Sequence, residues 1–183
     1  FKKQKRGGRG INATKFKEGD EAKLLCEAHT HDTILCFSTI GKVYSIRVFD
    51  IPDPSRQARG RPINNILPLS NDESISSFVV INSFDDGYLF MSTRLGMINK
   101  IPISLFKKIR TTGLKAIVLK DRDEVLGAHY IKKNDNIMLV AENGKVIRFN
   151  ESDVRERFRG TLGVRGINLG KDNKLTSILK PLF

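Results

Sequence analysis

An all-β fold, built as a propeller-like array of four-stranded antiparallel blades, is what this sequence predicts. One hairpin pattern recurs three times: Asp32–Tyr44, Asp86–Ile98 and Asp135–Ile147 each open on an acid and run through an apolar stretch. Each then turns on a glycine and enters a second strand-like stretch. The turn glycines, Gly41, Gly96 and Gly144, stand 55 and 48 residues apart, and a period near 50 belongs to propeller-type arrays. A second pair of apolar stretches, separated by an acidic turn, follows each hairpin and completes four strands per unit.

Taken in order, residues 1–31 read as the second half of a first blade, with Ile11–Phe16 and Ala22–Ala28 as its strands around the turn Lys17–Glu21. Residues 32–83 form the second blade, whose later strands are Ile63–Leu69 and Ile75–Ile81. Residues 84–133 form the third, with Lys115–Leu119 and Val125–Ile131. Residues 134–183 form the fourth, with Gly166–Leu169 and Leu175–Leu179. Between hairpin and second strand pair each unit carries a basic connection, Arg56–Pro62, Lys107–Gly113 and Arg155–Arg165. Acids collect in the turns Ser70–Ser74, Lys120–Glu124 and Gly170–Lys174 instead. Cations therefore fall at one equivalent position per blade.

Composition narrows the partners. Lysine and arginine number 32 against 20 acids, a formal net charge of +12 in 183 residues, which attracts polyanions, nucleic acid foremost. No apolar run approaches the roughly 20 residues of a bilayer span, and the cations do not line one face of an amphipathic helix, so no membrane partner is expected. Cys26 and Cys36 sit in apolar stretches and read as buried thiols of a reducing cytosol. Gly8–Ala13 fits a dinucleotide fingerprint, but no buried strand precedes it. His29, His31 and Asp32 lack a further ligand pair at recognisable spacing, so no metal site is expected. Tyr44, Tyr88 and Tyr130 lie inside strand-like runs, and no catalytic residue is assigned.

The densest cluster is Gln4, Lys5, Arg6, Gly7, Gly8, Arg9 and Gly10, in which cations alternate with residues that leave the backbone N–H bare for phosphate. It closely follows the Gln-Arg-Arg-Gly-Gly-Lys-Gly box and so resembles the C-terminal domains of bacterial DNA gyrase A subunits. Thr30–Phe37, Ala58–Ile63, Leu67–Leu69 and Gly163–Ile167 extend the resemblance over nearly the whole chain. That resemblance implies a β-pinwheel, with strands exchanged between neighbouring blades and duplex DNA bent around a basic rim to support negative supercoiling. About three complete blades and half of a first are present. The resemblance also implies two partners besides DNA, the rest of gyrase A and the gyrase B protein, in the bacterial cytoplasm with the nucleoid. ATP, Mg and the strand-cleaving tyrosine belong to other parts of that ATP-dependent type II topoisomerase, so this stretch alone needs no cofactor and has no activity of its own. Beginning at Phe1 and stopping at Phe183, it reads as a piece of something longer.

The expected DNA contacts are the box residues, then Arg56, Arg59 and Arg61, then Lys107, Lys108 and Arg110, then Arg155, Arg157, Arg159 and Arg165. Phosphate contacts carry no base code, so binding should tolerate sequence and fall steeply with salt. Two alternatives stand beside this one. The related A-type protein of topoisomerase IV has a similar domain with a degraded box. A propeller-like protein-interaction platform would more naturally present aromatic anchors, and the chain has no tryptophan.

Overall fold

A computed structural model describes residues 5–8, 25–52 and 61–181. The first blade-type sheet begins with β1 (Thr33–Ser38) and β2 (Lys42–Arg47) and adds β3 (Ile75–Ile81). Every residue from Ile34 to Ser38 is buried, because the strand is covered on both faces. Leu35 and Phe37 pack towards the next blade with Leu89, Met91 and Ile117. Ile34 and Cys36 pack the opposite way with Tyr44, Ile46 and Leu67. A two-sided strand must read as a continuous apolar run, which is how the sequence reads.

The next repeat follows this plan with β4 (Tyr88–Thr93) and β5 (Met97–Pro102), two short strands β6 (Leu114–Lys115) and β7 (Ile117–Val118), and β8 (Val125–Ile131). The last repeat has β9 (Asn136–Ala141), β10 (Val146–Asn150), the short β11 (Thr161–Leu162) and β12 (Val164–Arg165), and β13 (Leu175–Leu179). Each hairpin closes through the turn glycine's N–H: Gly41 to Ser38 O at 3.1 Å, Gly96 to Thr93 O at 3.0 Å and Gly144 to Ala141 O at 3.0 Å. Two cores lie between the blades, one around Leu35, Leu89 and Ile117 and the other around Phe90, Leu139 and Ile178. Each large side chain buried there contributes about 1.5–3 kcal/mol.

The sheet orders show how the blades are joined. The first is β3-β1-β2-β6 and the second β8-β4-β5-β12, so the fourth strand of each sheet comes from the following repeat. In these exchanges Val43 opposes Leu114 and Ile98 opposes Val164. The exchange is locked at the turn glycine. Ala116 N donates to Gly41 O at 2.9 Å, and Gly166 N to Gly96 O at 2.8 Å. β10 pairs with β9 on one side only, and among the described residues no strand pairs with its outer edge. On the opposite side of the sheets β3, β8 and β13 meet, with Ala128 N donating to Ser77 Oγ at 3.0 Å and His129 Nε2 lying 3.1 Å from Ile178 O. The β6 and β12 edges are therefore the outside of the array.

Five expectations need correction. Ile63–Leu69 is not a strand: Ile63–Asn65 forms a 3-10 turn and Leu67 is buried beyond it. Lys115–Leu119 and Gly166–Leu169 are not continuous strands either. The connection crosses from its own blade to the preceding one, so only two residues at a time, in β6, β7, β11 and β12, meet any one edge. Leu25–Ala28, the described part of Ala22–Ala28, is irregular and largely exposed, and no described strand pairs with it. Cys36 is buried as expected, and burial pushes its thiol up to about 12, but Cys26 is exposed.

Acids of the hairpin starts and inter-strand turns do internal work. Asp32 Oδ2 accepts the backbone N–H of His29 at 2.7 Å, and Asp135 Oδ2 accepts that of Lys132 at 2.6 Å. Glu73 is only 6% exposed and accepts hydrogen bonds from the Tyr44 hydroxyl at 2.9 Å and the Ser70 hydroxyl at 3.1 Å. Burial by itself would raise its pKa, but the hydrogen bonds from Ser38, Ser70 and Tyr44 outweigh it and hold the carboxyl below the ordinary 4.5.

Two tests follow from these contacts. Gly41 has φ +85° and a Cβ there would sit 2.5 Å from Ile117 O, whereas Gly144, at φ +79°, has open space. Gly144→Ala should cost only the left-handed backbone term, about 1–2 kcal/mol. Gly41→Ala should cost clearly more by thermal unfolding, because it also pushes away Ile117, two residues past the exchanged β6; equal costs would contradict that contact. Because the folded pKa of Glu73 is depressed, its stabilisation is complete above the unfolded carboxylate value and drains away as the pH falls through the folded one. Tm measured against pH should therefore drop less steeply below about pH 4.5 for Glu73→Gln than for the parent.

Candidate nucleic-acid interface

The basic connections run along the outer side because strand exchange requires it: each must leave its own blade and reach the outer edge of the one before. The third connection is the best defined. It begins in a short 3-10 turn, Glu151–Asp153, capped by Asn150, whose side-chain oxygen accepts from Ser152 N at 3.1 Å. A buried ion pair pins this turn to β5: Lys100 Nζ lies 2.8 Å from Glu151 Oε2 and 3.0 Å from Glu151 O. The same ammonium stands 4.8 Å from the centre of the Tyr88 ring. A hydrogen bond to the Glu156 carboxylate, together with burial and the charges of Glu156, Glu151 and Asp86, pushes the Tyr88 hydroxyl up to about 12. Farther along, Arg157 N donates to Lys100 O at 2.9 Å and Gly160 N to Ala116 O at 2.8 Å. The connection is thus fixed by its backbone and base, leaving most of its cationic side chains outward.

Arg155, Arg159 and Arg165 are exposed on this connection, and Lys107, Lys108 and Arg110 are exposed on the preceding one. Arg159 Nη1 donates to Leu105 O at 2.9 Å, and β11 pairs in parallel with β7, so the two connections lie side by side with their cations on one surface. Among the described residues none of these six cations forms an ion pair with a carboxylate. Arg157 differs from the expectation of a free rim cation: its Nε is sunk and unpartnered among the described residues. Arg61 is exposed beside the 3-10 turn that follows it. In the box, Lys5 and Arg6 are exposed on a turn in which Gly8 N donates to Lys5 O at 3.1 Å and Gly7 has φ +82°. Gln4, Arg9, Gly10, Arg56 and Arg59 lie outside the described residues.

Two members of this surface escape the sequence reading. Lys115 on β6 is exposed and occupies the place of Arg165 on β12, each one residue past the start of an exchanged strand. Aligning Arg61-Pro62-Ile63, Lys115-Ala116-Ile117 and Arg165-Gly166-Ile167 is the signal that finds it. Phe158, between Arg157 and Arg159, is 74% exposed. No sequence signal separates it from a core aromatic.

The profile of a family described as the DNA gyrase C-terminal domain, beta-propeller, matches residues 1–22, 32–82, 87–132 and 135–181. The chain belongs to the DNA gyrase C-terminal domain family. Among curated relatives, the DNA gyrase A protein of Escherichia coli (strain K12) is 44% identical over 182 residues, 99% of this chain and 21% of the relative. The DNA gyrase A protein of Ureaplasma parvum serovar 3 is 42% identical over 172 residues, 94% of this chain and 20% of the relative. The chain thus spans about a fifth of the length of these gyrase proteins. A solved structure of a DNA gyrase A C-terminal domain superposes with a TM-score of 0.78 at 30% identity, covering 98% of this chain and 58% of that one. A crystal structure of the C-terminal domain of DNA topoisomerase IV gives 0.77 at 31%, covering 84% and 48%. The β-pinwheel architecture is common to both, so the blade plan does not by itself separate a gyrase domain from its topoisomerase IV counterpart.

The ion pair under the third connection is open to a direct test. Lys100→Met leaves the Glu151 carboxylate buried and uncompensated, which should destabilise by about 3–5 kcal/mol in denaturant unfolding. The double variant Lys100→Met, Glu151→Leu should recover most of that loss. A loss in the single variant below about 1 kcal/mol, the range of a surface pair, would show the pair to be solvated.

Proposed function

We propose that this chain is a DNA-binding and DNA-wrapping module of a gyrase A protein, bending duplex DNA along its basic outer side to support negative supercoiling. The observation that carries the reading is the recurrence, on successive connections, of cations that pair with no carboxylate among the described residues: Lys107, Lys108, Arg110 and Lys115 on one, and Arg155, Arg159 and Arg165 on the next. Bending duplex DNA by 40–90° over a site of 20–30 bp costs about 1–6 kcal/mol, and cations repeated at blade spacing offset that cost through phosphate contacts. Arg61 and the box cations Lys5, Arg6 and Arg9 extend the series, with Gln4 and the bare backbone of Gly7, Gly8 and Gly10 closing on the same phosphates. Arg56 and Arg59 belong to the same proposal. Arg157 contributes through its exposed part only.

In this reading the chain performs no chemistry itself and takes no cofactor. Its partners are double-stranded DNA, the remainder of gyrase A and the gyrase B protein, and its place is the bacterial cytoplasm with the nucleoid. The box and the gyrase A identities favour this role over the topoisomerase IV counterpart.

The test is ligation of nicked circular DNA in the presence of the chain, followed by counting the trapped linking number. A positive shift that Lys5→Ala, Arg6→Ala, Arg9→Ala together abolish is the expected result. Each phosphate-contacting cation removed should also lower the salt slope of binding by about 0.9. Binding without any shift would reduce the chain to a basic platform, and no binding at low salt would overturn the proposal.

A further inference from the structure

Among the described residues most large apolar side chains are buried or half-buried, and Phe158 is a conspicuous exception at 74% exposed. Its position is not that of a loose loop residue. The backbone is fastened on one side by Arg157 N to Lys100 O at 2.9 Å and on the other by Gly160 N to Ala116 O at 2.8 Å. The carbonyl of Phe158 itself accepts the Thr161 hydroxyl at 2.7 Å. The ring is therefore presented outward from a fixed base, directly beside Arg159, whose guanidinium is docked on Leu105 O. In the register that matches Lys115 to Arg165, the place of Phe158 on the preceding connection is held by Lys108, so of these two connections only the third has the aromatic.

From this geometry we infer that Phe158 is an apolar wedge for duplex DNA, inserting at a base step between the phosphate contacts of its flanking cations and setting a local kink. The inference rests on the DNA-binding reading above. A rigid aromatic among cations suits this role for a physical reason. Phosphate contacts hold the duplex against the surface, and an apolar side chain pushed into the minor groove gains contact by partly unstacking one step, which bends the duplex away from it. Water otherwise hydrates an exposed ring at a cost, and base faces are the apolar surface that DNA can offer it.

A following repeat would not cover this ring by the rule that the chain itself displays. Each connection reaches back to the outer edge of the preceding blade and lies beside the connection before it, yet Lys108, the counterpart of Phe158 on the second connection, stays exposed with the third connection in place. The equally exposed Phe49 does not share the arrangement. It lines a pocket with Phe84 and Ile81 at the end of the β1–β2–β3 sheet, next to Asp50.

The experiment compares the parent chain with Phe158→Ala and Phe158→Leu on two duplexes of equal length and composition, both well below the ~150 bp persistence length. One carries TA steps repeated at the helical period and the other has none, because TA steps unstack most easily. Three quantities are read: affinity across a salt series, end-to-end energy transfer, and permanganate reactivity of thymines. For the parent, preference for the TA duplex, increased energy transfer and raised permanganate reactivity are expected. Phe158→Ala should lose the preference and the reactivity and weaken binding by about tenfold, the scale of one lost aromatic contact to a base. Its salt slope should stay unchanged because no cation is removed. Leucine, also an effective wedge, should keep most of the effect. Thermal unfolding of both variants should match the parent, since the ring lies largely in water. Equal affinity, reactivity and preference for parent and Phe158→Ala would overturn the wedge while leaving DNA binding intact. Absence of duplex binding by the parent at low salt would instead overturn the DNA-binding reading.

Discussion

An open sheet edge is a row of unpaired N–H and C=O groups, and the way this chain closes its edges governs the rest of its architecture. The first two sheets each have three strands from their own repeat and borrow the fourth from the next. The borrowed strand is only two residues long, yet it ties repeats together at the turn glycine, where Gly41 O and Gly96 O accept N–H groups of the following repeat. A repeat is therefore incomplete alone, and the array holds together by neighbour contacts as much as by its cores.

The same closure places the basic segments. A connection that must reach the outer edge of the preceding blade cannot pass through the apolar interior between blades, so it runs over the outside. Its cations stay in water, while the polar groups that fasten it are drawn inward. Lys100 and Glu151 show the division of labour: both are buried, both are paired, and the charge that could have joined the rim holds the connection in place instead. Glu73 plays a comparable part beside the β1–β2–β3 sheet with Tyr44 and Ser70.

Charge and position then act together. Cations scattered over a globular surface would attract DNA without shaping its path. Cations repeated on adjoining connections, with Arg159 reaching Leu105 and β11 lying against β7, form a continuous track. Duplex DNA is stiff on the scale of this molecule, and a continuous track is what bending requires. In the proposed reading, a fixed aromatic among those cations adds a way to concentrate curvature at one step.

Much of the fold was legible in the sequence, because its elements are set by local chemistry. β3, β8 and β13 lie at Ile75–Ile81, Val125–Ile131 and Leu175–Leu179, the stretches that apolar runs and turn residues mark. Glycine turns gave the hairpins away, and net charge with repeated Arg and Lys pointed to a polyanion partner. Ile63–Leu69 misled because an apolar stretch does not reveal whether it meets a sheet edge or only fills a gap beneath one. The sunken Nε of Arg157, the pairing of Lys100 with Glu151 and the exposure of Cys26 and Phe158 were decided by packing between segments far apart in the chain. A side chain's exposure depends on which neighbour crosses over it, and strand exchange, a contact between successive repeats, makes that choice only once the blades have assembled.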